Sequence, residues 1–219
     1  MQRKKFNYKY GFTLAEVLIT LGIIGVVAAI TIPTLMKNTQ DAEFKTAWKK
    51  AFSELSQANQ QIITDNGGQD FSGQCSDYNN TCLKDLFATK LKFVKQCTNA
   101  NTEGCSPINA KFMDGANTHI VDINSAYPAL VTASGYSIRF RAHDSACTLA
   151  FPYECGWMQV DVNGLKSPNI AGRDIFFLGV AKTKLAPFGV VGDPNYPNPN
   201  TDCATGGTGT ACSAVYLQQ

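Results

Sequence analysis

Between Gly11 and Lys37 the chain carries one charged side chain, Glu16, in an otherwise uncharged run from Phe12 to Met36. Those 25 residues would span about 37 Å as a helix, enough to cross a bilayer with some tilt. The leader before them, Met1–Gly11, holds Arg3, Lys4, Lys5 and Lys9 and no acid. By the positive-inside rule such a leader stays cytoplasmic, so the domain that follows is expected outside. A carboxylate in a helix of this kind costs roughly 2.5–3.5 kcal/mol when placed centrally. Glu16 lies near the cytoplasmic end, where the cost is smaller, but it still calls for a partner. Two plainer readings compete. Val27-Ala28-Ala29 could be the cleavage site of an ordinary secretory signal, or the run could be a simple anchor. A signal h-region is shorter and carries no acid, and here the apolar run continues well past Ala29.

The stretch Gly11-Phe-Thr-Leu-Ala-Glu16-Val-Leu-Ile-Thr-Leu21 closely resembles the processing and methylation segment of type IV prepilins and type II secretion pseudopilins. The resemblance covers residues 1 to about 65 well and the rest loosely. It implies that a prepilin peptidase cuts after Gly11 and N-methylates Phe12. It also implies that Glu16, fifth after the cut, pairs with the cationic amine of Phe12 on a neighbouring subunit. Pro33 lies where the family commonly has a helix-loosening proline. The implied partners are homologous pilin or pseudopilin subunits, the peptidase and an inner-membrane assembly platform. The implied location is the inner membrane as precursor, then an extracytoplasmic or cell-surface filament.

Losing the leader takes the chain from 19 basic and 17 acidic residues to 15 and 17, moving the net charge from +2 to −2. A mildly acidic chain gives no support for general nucleic-acid binding. Gly22, Gly25, Ala28 and Ala29 would let helices approach closely in lipid, or are ordinary membrane composition. Pro33 removes one helical hydrogen bond and is expected to kink or locally melt the helix. The resemblance favours a melted stretch around Gly22–Pro33 inside an assembled filament. Beyond the membrane, Phe44, Trp48, Ala51, Leu55, Ala58 and Ile62 recur at helical steps, which predicts an amphipathic helix whose stripe packs on the downstream domain. Asn66-Gly67-Gly68 should stop it near Asp65. The organisation is therefore leader 1–11, long helix 12–65 (transmembrane over 12–36), and a single domain over 66–219.

That domain holds all eight cysteines, and in an exported domain an even count reads as a disulfide framework. Sequence alone does not choose among the connectivities. Short loops bounded by turn formers favour neighbour pairing: Cys75 with Cys82, Cys97 with Cys105, Cys147 with Cys155 and Cys203 with Cys212. Zinc is the rival, but Cys-x-x-Cys spacing is absent and only His119 and His143 are at hand. Strand signals fall at Thr118–Ile123, Ala129–Ala133, Tyr136–Ala142, Thr148–Phe151, Trp157–Val162 and Asp174–Ala181, with tight turns at Gly135 and Asn163-Gly164. Leu83–Val94 reads as a short helix, and 187–212 as an irregular, stapled surface segment. A long helix followed by an antiparallel sheet with disulfide-stapled loops is an α+β fold.

The most site-like run is Asp161-Val-Asn163-Gly-Leu-Lys-Ser-Pro-Asn169 with Gly172-Arg-Asp174. Its oxygen-bearing side chains could hold Ca²⁺, which takes roughly six to eight oxygens, yet the run lacks the length and terminal Glu of an EF-hand loop. The resemblance adds that some pseudopilins carry calcium in a C-terminal loop. The competing reading, a structural hairpin with a capped loop, needs no metal. His119 and His143 sit at strands, where a hydrogen-bonded structural role outweighs catalysis. Ser134-Gly135 lacks a nucleophile elbow, and each cysteine has a mate. The chain thus reads as no enzyme and as needing no cofactor. The expected function is a filament subunit, and the loop-rich C-terminus leans toward a minor or specialised one. The alternative is a membrane-anchored binding or adhesion module that uses the 187–212 loop; an exported enzyme with an unrecognised site is a weaker third.

Overall fold

Helix α1 (Leu14–Asp65) is the longest element of the computed structural model, which describes residues 11–117, 122–196 and 198–219. The chain divides into two units at Gln40, and α1 contributes to both. In the first unit Phe12 is 90% exposed, and Leu14, Ile24, Ile30 and Leu35 are all more than half exposed. An apolar helix surface with no protein against it is long and apolar enough to cross a membrane. The helix is unbroken across Pro33, so the local melting expected there is not a property of the single chain. One proline removes one N–H, and the bonds on either side carry the helix through.

In the second unit, Asp41–Gln219, the rest of α1 buries the expected stripe: Trp48, Ala51, Leu55, Ala58 and Ile62, with Ile63 beside it. The helix ends where Gly67 and Gly68 take positive φ (104° and 76°) and Gly68 N–H bonds back to the Ile63 carbonyl at 2.9 Å. Helix α2 (Asn80–Ala88) follows, capped by Asn79, whose side chain accepts from Cys82 N–H. The expected helix through Val94 stops six residues early, because Phe93–Cys97 forms strand β1 instead. Then come β2 (Ala129–Thr132), β3 (Ser137–Ala142), β4 (Gly156–Asp161), β5 (Ile175–Val180), β6 (Leu185–Pro187), α3 (Pro199–Asp202) and α4 (Cys212–Gln218).

The six strands form one antiparallel sheet in chain order. Its α1 face carries Leu130, Ile138, Phe140, Met158, Val160, Phe176 and Leu178 in one core with α1 and α2. The opposite face carries Trp157, Ile175 and Phe177 in a second core with Phe112, Ile123, Phe188, Tyr196 and Ala211. Both faces being covered explains why all six residues of β4 and of β5 are buried, with none of the alternation of a half-exposed strand. It also corrects the reading of 187–212 as surface: Phe188, Tyr196 and Ala211 roof the sheet.

Two further expectations shift, and a third falls mostly outside the described residues. Thr148–Phe151 is not a strand but a bend ahead of a cis Phe151-Pro152 bond, inside the loop closed by Cys147–Cys155. Asn163-Gly164 turns the chain, yet Asp161 pairs directly with Ile175, so it opens a long loop rather than a tight hairpin. The proposed strand Thr118–Ile123 lies largely outside the described residues, and Ile123 itself is in a turn. Gly135 does close a tight hairpin between β2 and β3, with φ of 93°. The eight cysteines are joined as four chain neighbours: Cys75–Cys82, Cys97–Cys105, Cys147–Cys155 and Cys203–Cys212. Closing loops of this size removes roughly 2.5 kcal/mol each of unfolded-chain entropy.

Candidate functional site

Gly11 and Phe12 precede the first helical residue, and both are exposed. Thr13 then caps α1. Its hydroxyl and its backbone N–H both donate to Glu16 Oε2 at 2.8 Å, and Glu16 N–H donates back to Thr13 Oγ1 at 3.2 Å. This reciprocal pattern is a capping box, and Thr-x-x-Glu spacing is its signal in the sequence. Considering Glu16 only as an acid in want of a distant cation leaves Thr13 out. Oε1 of Glu16 takes no hydrogen bond among the described residues. The box therefore aims the carboxylate at the start of the helix, beside Phe12, and leaves one oxygen open.

The second candidate is the loop after β4. Asp161 is 1% exposed and Asp174 fully buried. Asp174 is the loop's hub: its Oδ2 accepts from Asn169 N–H at 2.8 Å and Asn163 Nδ2 at 3.1 Å, and its Oδ1 from Ile170 N–H at 2.7 Å. Asp161 Oδ1 accepts from Asn163 N–H at 3.2 Å. Burial pushes both carboxyls up, and Asp161 rises further from the neighbouring Asp174 charge. The structure thus brings Asp161, Asn163 and Asp174 together, but Asp174 is spent on three N–H donors. That leaves Asp161 Oδ2, Asn163 Oδ1 and Asn169 Oδ1 as buried side-chain oxygens without a hydrogen-bond partner. Among the described residues no three His, Cys, Asp or Glu side chains gather as a metal set. The three hydrogen bonds that Asp174 accepts cap the loop from within.

His143 Nε2 is buried without a hydrogen-bond partner among the described residues, and the ring lies 6.4 Å from that of Tyr78. Burial lowers its pKa from 6.5 to about 4, with the Arg141 charge adding to the effect. The fold therefore prefers neutral His143, whose contribution is complete above 6.5 and fades as pH falls from 6.5 toward 4. We expect acidification from pH 7 to 4.5 to cost the wild type about 2 kcal/mol more than His143→Gln, read as the difference between the two Tm drops. Equal drops would refute the burial effect. His119 lies outside the described residues. Two tying residues gave no sequence signal, because their partners are remote in the chain. Arg173 Nε donates to Asp41 at 2.6 Å, and Arg139 gathers Ile123 O, Asn101 Oδ1 and Pro107 O.

The profile of the prokaryotic N-terminal methylation motif matches residues 6–32, a span that includes the Gly11–Phe12 bond, Thr13 and Glu16. The chain carries the prepilin signature. That signature is the one of type IV pilins and pseudopilins, a family of structural proteins, and with the apolar helix it fits a membrane-anchored precursor. No curated protein and no solved structure matches the chain. The pilin-type reading accordingly rests on the prepilin motif at the N-terminus, joined to an α+β domain in which a long helix packs on an antiparallel sheet.

Proposed function

We propose that this chain is a structural subunit of a type IV pilus or a type II secretion pseudopilus, cut after Gly11 and assembled through the N-terminal part of α1. One observation carries the proposal: the methylation motif opens a helix whose large apolar side chains, from Leu14 to Met36, stand exposed. Van der Waals packing among such helices, with small residues at Gly22, Gly25, Ala28 and Ala29, would bury that surface in a filament core. Glu16 supplies the fixed negative charge and the new amine of Phe12 the positive one. Their attraction across subunits offsets part of the cost of holding both in lipid and sets the axial register. The partners are then sister subunits, the prepilin peptidase and the inner-membrane platform. The binding-module alternative draws less support, since 187–212 is engaged in roofing the sheet and in the Cys203–Cys212 closure.

Intact mass measurement of the chain from the producing cell tests the processing step. The expected polypeptide begins at Phe12 and is one methyl group heavier than its unmodified sequence. A mature chain beginning elsewhere, or an uncut precursor in the presence of active peptidase, would overturn the assignment.

A further inference from the structure

The sheet face turned away from α1 contains a block of four buried polar side chains on two paired strands. Ser137 lies opposite Asp161, and Arg139 lies opposite Gln159. All four are 2% exposed or less. Five of their polar atoms have no hydrogen-bond partner among the described residues: Ser137 Oγ, Arg139 Nε, Gln159 Nε2, Gln159 Oε1 and Asp161 Oδ2. Orphaned buried groups are rare in folded proteins, and a cross-strand cluster of them asks for a shared partner. The two nitrogens at the tip of Arg139 are already in use, holding Ile123 O, Asn101 Oδ1 and Pro107 O. No hydrogen bond joins Arg139 to Asp161 among the described residues.

The chemistry of the block decides what can complete it. Arg139 Nε–H and the Gln159 amide N–H need acceptors, whereas Asp161 Oδ2 and Gln159 Oε1 need donors. A cation would serve the oxygens alone, under repulsion from the guanidinium. An anion would serve the nitrogens alone, under repulsion from Asp161 and Asp174. Only a small neutral species that both donates and accepts satisfies every member. We infer that an internal water cluster binds here, bridging Arg139 to Asp161 through Gln159 and Ser137. Internal waters of this kind make about three hydrogen bonds each to groups the protein leaves unpaired. Arg139 thereby becomes a two-sided pin: its tip holds Asn101, Pro107 and Ile123, and its Nε is tied through water to β4. The inference is independent of the filament reading.

Gln159→Leu in the full chain in detergent tests it, since the substitution removes both amide groups at nearly constant volume. With water present, Gln159 is satisfied and its loss strips the cluster, so Tm should fall by roughly 4 °C. Without water, the variant relieves two unpaired groups, and Tm should stay level or rise; either result overturns the inference. Independently of that variant's folding, a diffraction structure of the wild-type chain should show solvent at about 2.7–3.2 Å from both Arg139 Nε and Asp161 Oδ2. Density at about 2.3–2.6 Å from Asp161 Oδ2, with a Tm that falls on adding chelator, would mean calcium and overturn it.

Discussion

Glu16→Ala should leave the chain in the membrane and exclude it from filaments. The targeting information lies in the basic leader and the length of the apolar run, neither of which the substitution touches, and removing a charge eases insertion. What disappears is the carboxylate proposed to meet the Phe12 amine of a neighbour. The capping box supplies the necessary control. Glu16→Gln keeps a side-chain oxygen to accept from Thr13 N–H, as capping boxes tolerate, but carries no charge. If pairing across subunits is the role, Gln fails to assemble just as Ala does, with the precursor still cut after Gly11. If helix capping is the role, Gln assembles normally and Ala alone is impaired. The measurement is the fraction of the chain in sheared filaments against the membrane fraction. Normal incorporation of Glu16→Gln would remove the charge-pairing argument and leave Thr13–Glu16 as a purely local device.

The largest loss of stability is expected at Trp48. Its ring is fully buried, stacks on Phe176 at 4.7 Å and donates through Nε1 to the Ser213 carbonyl at 3.0 Å. Ser213 in turn accepts from Phe177 N–H through its hydroxyl at 2.8 Å. One side chain therefore joins α1, β5 and α4. Trp48→Ala should cost about 3–5 kcal/mol, combining lost burial with the cavity left behind. In a domain of this size that is a fall of roughly 10 °C in Tm. Trp48→Phe keeps an aromatic surface and loses the hydrogen bond, so about 1–2 kcal/mol is expected. A Trp48→Ala loss below about 1 kcal/mol would mean that α1 is not anchored by this contact.

The long helix and the strands Ala129–Thr132, Ser137–Ala142, Gly156–Asp161 and Ile175–Val180 were legible, because each pattern is local. Helical spacing from Phe44 to Ile62 needs only the residues of the helix itself, and β-rich runs between turn formers need only a few neighbours. Strands β1 and β6 were not legible. Phe93–Cys97 alternates no better than its surroundings, and it is a strand because β2 lies beside it. Leu185–Pro187 is three residues long and ends in proline, which an edge strand tolerates. The roof over the second sheet face escaped for a similar reason. Residues 187–212 have a loop's composition, and Phe188 and Tyr196 become core only where the fold sets them against Phe177.

Readable from the chain alone were the membrane-length helix, the prepilin signature at Gly11–Glu16, the α+β class and an even set of eight cysteines in closely spaced pairs. These depend on composition, on fixed spacings and on residues close in the chain. Long-range packing alone covers both sheet faces, commits Asp174 to donors in its own loop and gathers Arg139, Gln159, Ser137 and Asp161 into one buried block. Those outcomes arise from contacts between residues tens of positions apart, where burial changes what a polar atom costs and hence what it must bind. Spacing along the chain carries no record of burial, so it marked Asp161 and Asp174 by their oxygens and left out Arg139, Gln159 and Ser137, which share the interior with Asp161.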